Sequence, residues 1–510
     1  MAETFAVLPG HALGFMSTMI KHFAVDGADH GLALGAALQD ILSTIESDRK
    51  RFASIDIHFS QSDPLTALVV VTLPDKGLRL RFDGADQRLR LIEVIDFTKI
   101  VLTYNGQKLA QTPSPSAPVF KPVYRILSPS FPGEYLPPTN GNTKGTYILS
   151  WPGIAWNFPV KDSAWTPKAE DDYVGLLESH ATSPATHMAI FEGKTWADAR
   201  KDLFIREPSG PRSTALATRP HDNLPAEIEA ATVHPGGRVE LERRAPAAPF
   251  TIILNETTPQ DLITELGAPD ATFKPSGTRD PTPEQPRRRT SSMTRPRSNG
   301  RVQPSSQPSS YSSTNTDTFE TDFDSEDAEE DPAERRSRDA FWCYFSHGMD
   351  ILVGPPSDAE STSPTDVAST ARADLVVKRV VIQGNIPGSA AFNRHRRLRW
   401  TLILPSTTDA DELLTSESDF EQSVKPALLA TFTEAARDPQ TAMGRVINRC
   451  WDDTMGESSF FLPDQDRTLG DNEGAGADGK WLGNVRLFRF PGLGFEVVRS
   501  GGVASLYVTT

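Results

Sequence analysis

The stretch GLRLRFDGADQRLRLIEV, residues 77–94, decides the fold class. In its first arm Leu78, Leu80 and Phe82 share one parity and Arg79 and Arg81 the other. In its second arm Leu89, Leu91 and Glu93 alternate with Arg88, Arg90, Ile92 and Val94. A period of two marks a strand with one buried face. The break between the arms, Asp83-Gly84-Ala85-Asp86, has the residue types of a tight reversal. These residues predict a β-hairpin. Glu93 falls on an apolar parity, so it is expected at the rim of the buried face, or beside a bulge that lets it meet Arg79 or Arg81.

The same opening recurs as GIAWNF at 153–158, GMDILV at 348–353 and GLGFEV at 492–497. The ribbons at 77, 348 and 492 are each followed by a second apolar strand: RLRLIEV (88–94), LVVKRVVIQ (375–383) and VASLYVT (503–509). Before the first ribbon, LGAALQDILSTIES (34–47) places Leu34, Leu38, Ile41, Leu42 and Ile45 on one helical stripe. Before the third, TTPQDLITELG (257–267) predicts another helix. Thr257 or Thr258 caps it, Pro259 suits its first turn, Leu262, Ile263 and Leu266 are apolar, and Gly267 stops it. The recurring unit is a helix followed by an antiparallel β-meander, with at least two copies. The expected class is α+β, repeated helix–meander units packed together.

A chain of 510 residues is too long for one core. The segments divide into an N-terminal α+β domain at 1–206 (helix 34–47, hairpin 77–94, strand 153–158) and a C-terminal α+β domain at 233–510 (helix 257–267, strands 341–353, 375–383 and 484–509). Residues 274–338 have almost no aliphatic side chains and predict a long disordered insertion, basic in its first half and acidic in its second. Its serines allow a phosphorylation target as well as a plain solvated insertion. The balance of 52 basic and 67 acidic residues, net −15, argues against a nucleic-acid surface. The two cysteines, Cys343 and Cys450, fit free thiols in a reducing compartment. The first residues lack a basic-then-apolar leader and no window is apolar enough to cross a membrane, so a soluble cytosolic chain is expected.

No HExxH, phosphate-binding loop or GxSxG pattern occurs. Gly474, Gly476 and Gly479 form a GxGxxG, but it follows a polar loop and precedes a strand, the wrong context for a dinucleotide. Cys343 and His347 fall short of a zinc ligand set, and Cys343 reads as a small buried hydrophobe. His347 and His395 have no evident acid partner, and Asp261 and Glu265 read as exposed helix carboxylates. No catalytic residue, cofactor or metal is expected. NRHRRLRW (393–400) gathers Arg394, Arg396, Arg397 and Arg399 beside Trp400. It reads as a basic patch for anionic lipid head groups or an acidic partner, or as a solvated strand start.

The succession LG…QDIL, DPLTALVV, GLRLRFDGADQRLRLIEV, KIVLTYNG and FPGEYLP resembles the amino-terminal half of the phagosome assembly factor one family. DLITELGAPDATF, WCYFSHGMDILV, VKRVVIQGNIPGSAAFN and GLGFEVVRSGGVASLYV resemble its carboxy-terminal half in the same order. FDGADQRLRLIEV is the most specific of these stretches, and the insertion at 274–338 is the chief departure. The resemblance implies a non-catalytic adaptor of autophagy, cytoplasmic and peripheral at the forming phagophore (the preautophagosomal structure), with a WD-repeat β-propeller partner of the phosphoinositide-binding kind. It carries over no catalytic residue. The alternative is direct phosphoinositide or lipid binding, or lipid transfer, through a cavity between helix and curved sheet; a cryptic enzyme comes third. In such a protein EDDYVGL (170–176) fits an acid-led aromatic-x-x-aliphatic motif, Asp171, Asp172, Tyr173 and Leu176, which would add a strand to a ubiquitin-like modifier. The plainer reading makes Tyr173 core.

Overall fold

The computed structural model describes residues 4–7, 23–25, 28–30, 32–104, 107–108, 117–127, 131–138, 143–166, 173–210, 212–213, 225–273, 339–356, 375–405, 413–434, 443–448 and 484–509. The insertion at 274–338, the glycines at 474–479, Cys450, Asp171 and Asp172 lie outside them.

In the first half the strands are β1 (Thr4–Val7), β2 (Phe23–Val25), β3 (Ala28–His30), β4 (Asp56–His58), β5 (Val69–Leu73), β6 (Leu78–Phe82), β7 (Leu89–Val94), β8 (Val101–Tyr104), β9 (Gln107–Lys108), β10 (Phe131–Leu136), β11 (Lys144–Trp151), β12 (Ile154–Lys161) and β13 (His187–Phe191). Its helices are α1 (Leu38–Ser47), α2 (Phe120–Leu127), α3 (Tyr173–Glu178) and α4 (Trp196–Ala199). The second half has β14 (Ile228–His234), β15 (Arg238–Arg243), β16 (Phe250–Ile253), β17 (Ala271–Phe273), β18 (Ala340–Tyr344), β19 (Met349–Gly354), β20 (Val376–Gln383), β21 (Arg399–Leu402), β22 (Leu414–Thr415), β23 (Arg445–Asn448), β24 (Asn484–Phe490), β25 (Leu493–Val497) and β26 (Val503–Thr509). Its helices are α5 (Pro259–Leu266) and α6 (Lys425–Thr431), the latter continuing a π-turn at Phe420–Val424.

The halves share one plan. Each pairs a five-stranded sheet, β3-β2-β1-β8-β9 or β16-β15-β14-β21-β22, with an eight-stranded one. The large sheets run β4-β5-β6-β7-β13-β12-β11-β10 and β17-β18-β19-β20-β26-β25-β24-β23. Each is two four-stranded meanders joined through their last strands, β7 to β13 and β20 to β26. A helix precedes every meander: α1, α2, α5 and α6. The recurring unit therefore appears four times among the described residues, and the class is α+β. The four glycine-led ribbons are the third strands, β6, β12, β19 and β25. Gly77, Gly153, Gly348 and Gly492 enter them at φ 64°, 82°, 77° and 72°, a left-handed turn that strongly favours residues without a Cβ. The second ribbon, which has no adjacent apolar partner in sequence, finds it in β13, beyond α3.

The cores follow from the periodicities. On α1, Leu38, Ile41, Leu42 and Ile45 are buried with Leu78, Leu80, Phe82, Leu89, Ile92 and Val94. Each such side chain contributes about 1.5–3 kcal/mol on burial. The predicted helix starts later than expected, at Leu38, because Gly35 takes φ 88° and Leu34 sits in the turn before it. Helix α5 carries the capping box Thr258–Asp261 and ends before Gly267; it buries Leu262 and Leu266 but leaves Ile263 exposed. The second core gathers these with Ile351, Val380, Phe420 and Phe495. The halves have separate cores, yet 1–275 and 339–510 form one compact unit.

The hairpin itself needs one correction. Leu89 faces Phe82 and Leu91 faces Arg81, so Arg90 is the extra residue of a bulge. The bulge flips parity: Leu89 joins Ile92 and Val94 under α1, whereas Leu91 packs on the opposite face with Phe191 and Ala199 of α4. Glu93 then lies opposite Arg79 and takes Arg81 Nε at 2.7 Å.

Candidate functional site

The loop DGADQR between β6 and β7 is not a solvated reversal. Asp83, Asp86, Gln87 and Arg88 are all buried. Asp83 organises the turn: its carboxylate accepts from Asp86 N at 2.6 Å, Arg88 N at 3.2 Å and the bulge residue's Arg90 Nε at 2.6 Å. Arg88 Nε donates to Gly35 O at 2.7 Å and its Nη2 to Gly210 O. Gly84 comes so close to the 66–67 backbone that a Cβ would lie 2.3 Å from Thr66 O.

This loop receives the second half. Gln87 and Asn385 exchange hydrogen bonds, Gln87 Nε2 to Asn385 O at 2.9 Å and Asn385 Nδ2 to Gln87 Oε1 at 2.8 Å. Arg397 Nη1 donates to Gly84 O at 3.1 Å and Leu65 O at 3.3 Å. Leu65, Ile386 and Ala504 close a small apolar cluster alongside. The four arginines of 393–400 thus need correction as a surface patch. Arg396 and Arg397 are 4% and 1% exposed, out of reach of a lipid surface, and Arg399 pairs with Glu417 at 2.9 Å. Only Arg399 is exposed, and Arg394 is half-buried. Neither a membrane patch nor a solvated strand start describes Arg396 and Arg397: Arg397 joins the halves, and Arg396 donates to Ile228 O within the second.

Next to the junction lies a cavity of about 420 Å³. Its wall includes Gln39 and Asp40 from the start of α1, Arg212, Glu227, the end of α5, His347 and Arg396. Arg212 Nη1 holds Asp86 at 2.6 Å. Burial raises the Asp86 carboxyl, but Arg212, then Arg88 and Arg396, outweigh it and hold it below the usual range. Burial, then Arg212, pushes the Arg396 guanidinium down to about 9. Burial also pushes the His347 imidazole down to about 4, helped by Arg396.

Among the described residues, Cys343, Asp350 and His395 have the composition of a nucleophilic site. Asp350 takes His395 Nε2 at 2.7 Å and Gln383 Nε2 at 2.8 Å, an acid partner for His395 that the sequence does not reveal. All three are buried. Burial raises the Cys343 thiol far above its ordinary value, and the Asp350 charge adds to this, the reverse of an activated nucleophile. Among the described residues no group of three or more His, Cys, Asp or Glu could hold a metal.

Tyr173 and Leu176 open the short helix α3 rather than an extended strand. Tyr173 stacks on Tyr147 at 6.1 Å between ring centroids, and both residues pack against the first core. Tyr173 and Leu176 are both half-buried against that core, as the plainer reading of Tyr173 expects. Sequence reasoning passes over Arg212, Glu227, Asp86 and Arg88. The legible signal was Arg88 and Arg90 on the parity of Ile92 and Val94, cations where apolar residues belong.

The family described as Phagosome assembly factor 1 (PHAF1) matches residues 29–280. A PHAF1 protein of Arabidopsis thaliana is 25% identical over 383 residues, covering 74% of this chain and 73% of its own. One of Drosophila melanogaster is 21% identical over 387 residues, 74% and 72% respectively. One of Caenorhabditis elegans is 26% identical over 165 residues, 31% and 37%. No solved structure matches. Two equivalent halves joined through FDGADQR, with relatives in plant, fly and worm that carry the family name, make this chain a member of the phagosome assembly factor 1 family.

Proposed function

We propose that the protein is a non-catalytic adaptor in phagosome assembly, working peripherally at the forming phagophore with a WD-repeat β-propeller partner. The family carries the assembly role. The observation that supports an adaptor is the use made of the interior polar chemistry: buried arginines and carboxylates bind the halves together, and the Cys343–Asp350–His395 set is sealed with its thiol protonated. Such a body offers strand edges for docking; β4, β10, β17 and β23 end the large sheets among the described residues. No helix among the described residues is long and apolar enough to cross a membrane. Affinity purification of the full chain tests this. Enrichment of a WD-repeat propeller is expected, and its absence across native conditions overturns the reading.

Direct lipid engagement is the second reading, favoured by the arginines in the cavity. At about 420 Å³ the cavity suits a headgroup and not acyl chains, which narrows this reading to headgroup capture and argues against lipid transfer. Flotation of the purified chain with phosphatidylinositol-phosphate vesicles, with no partner present, would support it.

A further inference from the structure

We propose that the cavity between the halves binds a phosphorylated polyol, its phosphate monoester held by Arg212 and Arg396 at the amino-terminal end of α1. The reading deepens headgroup capture but does not require a membrane.

Three observations meet in this cavity. The first is α1, a ten-residue helix whose N-cap, Ala37, has no side chain to accept from the first turn. Leu38 N is taken by Gln87 O at 2.8 Å, while the Gln39 amide has no acceptor inside the helix. The partial positive charge of that end favours an anion. Gln39 and Asp40 of this turn line the cavity.

The second is the pair of arginines. Arg212 and Arg396 are each 4% exposed and both line the cavity. Nη1 of Arg212 is committed to Asp86 and Nη2 of Arg396 to Ile228 O at 2.5 Å. Nε of each is buried with no hydrogen-bond partner, an arrangement that folded chains avoid unless something else fills it. A guanidinium fork matches the oxygens of a phosphate, and two arginines line this cavity.

The third is the state of the neighbouring carboxylates. Glu227 accepts from Arg212 N at 2.8 Å, Ser213 N at 3.0 Å and Arg244 Nη1 at 3.4 Å, and Asp86 is paired. They offset the cluster only in part: burial first, then Arg212, depress the Arg396 guanidinium, while Glu227 and Asp86 oppose that. A bound dianion would relieve that repulsion. Asp40 and Asp270 are acidic too, and Asp270 takes Ser346 N at 3.2 Å. Carboxylates beside an anion site disfavour a bare ion and accept from hydroxyl groups, which points to a polyol carrying the phosphate.

The test uses the full chain and titration calorimetry with inorganic phosphate, myo-inositol, inositol trisphosphate and glucose 6-phosphate. Saturable binding of a phosphorylated polyol, at least about tenfold tighter than either inorganic phosphate or myo-inositol, is expected. Arg212→Gln should weaken it by about tenfold or more. Because that arginine is buried and its loss could unfold the chain, Ala268→Glu is the second variant. Ala268 is exposed on the wall and makes no ion pair, and its replacement adds bulk and negative charge. Flotation with phosphatidylcholine vesicles, with and without phosphatidylinositol phosphate, separates a lipid headgroup from a free polyol phosphate. No saturable binding to the folded wild type overturns the site, as does equal binding by the folded Ala268→Glu chain. Neither result bears on the propeller partner.

Discussion

The side-chain amides of Gln87 and Asn385 hydrogen-bond to each other at 2.8 Å across 298 residues of chain, and both residues have positive φ, 52° and 44°. Two non-glycine residues in this conformation cost about 1–3 kcal/mol each unless their surroundings demand it. Here each left-handed residue presents its amide to the other, so the junction itself supplies the demand. Asn385 Oδ1 also accepts from Asn393 N at 2.7 Å, tying the turn to the arginine run that follows.

Arg397→Met should destabilise the chain by about 2–4 kcal/mol, since the Gly84 and Leu65 carbonyls are left buried and unpaired. Denaturant unfolding followed by fluorescence measures it. Arg399→Met, at an exposed partner of the same Glu417, should cost under about 1 kcal/mol.

Gly84→Ala should lower the melting temperature markedly even though this turn residue is not among the positive-φ glycines. The added methyl would lie 2.3 Å from the Thr66 carbonyl and 2.4 Å from Ala67 O, and both obstacles are backbone. Overpacking of this kind costs about 1–3 kcal/mol, read by scanning calorimetry.

Stability should fall as the medium is acidified through the range between the two values of His347. Burial first, then Arg396, lowers its imidazole from 6.5 to about 4 in the fold. The unfolded chain therefore takes the proton earlier. Stabilisation is complete above 6.5 and lost on the way to about 4, on the order of 3 kcal/mol. His347→Gln, which keeps a donor for the Leu266 carbonyl, should flatten the decline in melting temperature between about pH 7 and about pH 5. The lowered carboxyls of Asp350 and Glu417 extend the loss to more acidic media.

Cys343 should resist alkylation in the folded chain, because burial and then the charge of Asp350 raise its thiol and keep it protonated. In a Cys450→Ser background, iodoacetamide should label it only at denaturant concentrations that unfold the second core. Mass spectrometry of the labelled peptide checks this.

Much of the scaffold was legible before any coordinates. Alternation from Leu78 to Phe82, a threonine cap at Thr257 or Thr258 and the glycines leading the four ribbons are short-range signals, each set by a few neighbouring dihedrals. The off-parity Glu93 allowed a bulge, but its place at Arg90 was not legible, because a one-residue slip leaves composition unchanged and reverses every later side chain. The partner of β12 was hidden for another reason: α3 and its flanks intervene before His187. The basic run at 393–400 misled because a string of arginines looks the same whether water or Asp86, Glu227 and the Gly84 carbonyl surround it.

The sequence by itself determined the α+β class, the helix–meander unit and the glycine-led ribbons, since backbone conformation and periodicity are properties of contiguous residues. Only the tertiary structure decided that the unit appears four times in two matching halves, and that Arg396 and Arg397 are interior. It also decided that Arg212 and Arg396 stand together at one cavity. Burial and charge compensation depend on which distant carbonyls and carboxylates come within about 3 Å, and no local pattern encodes that meeting.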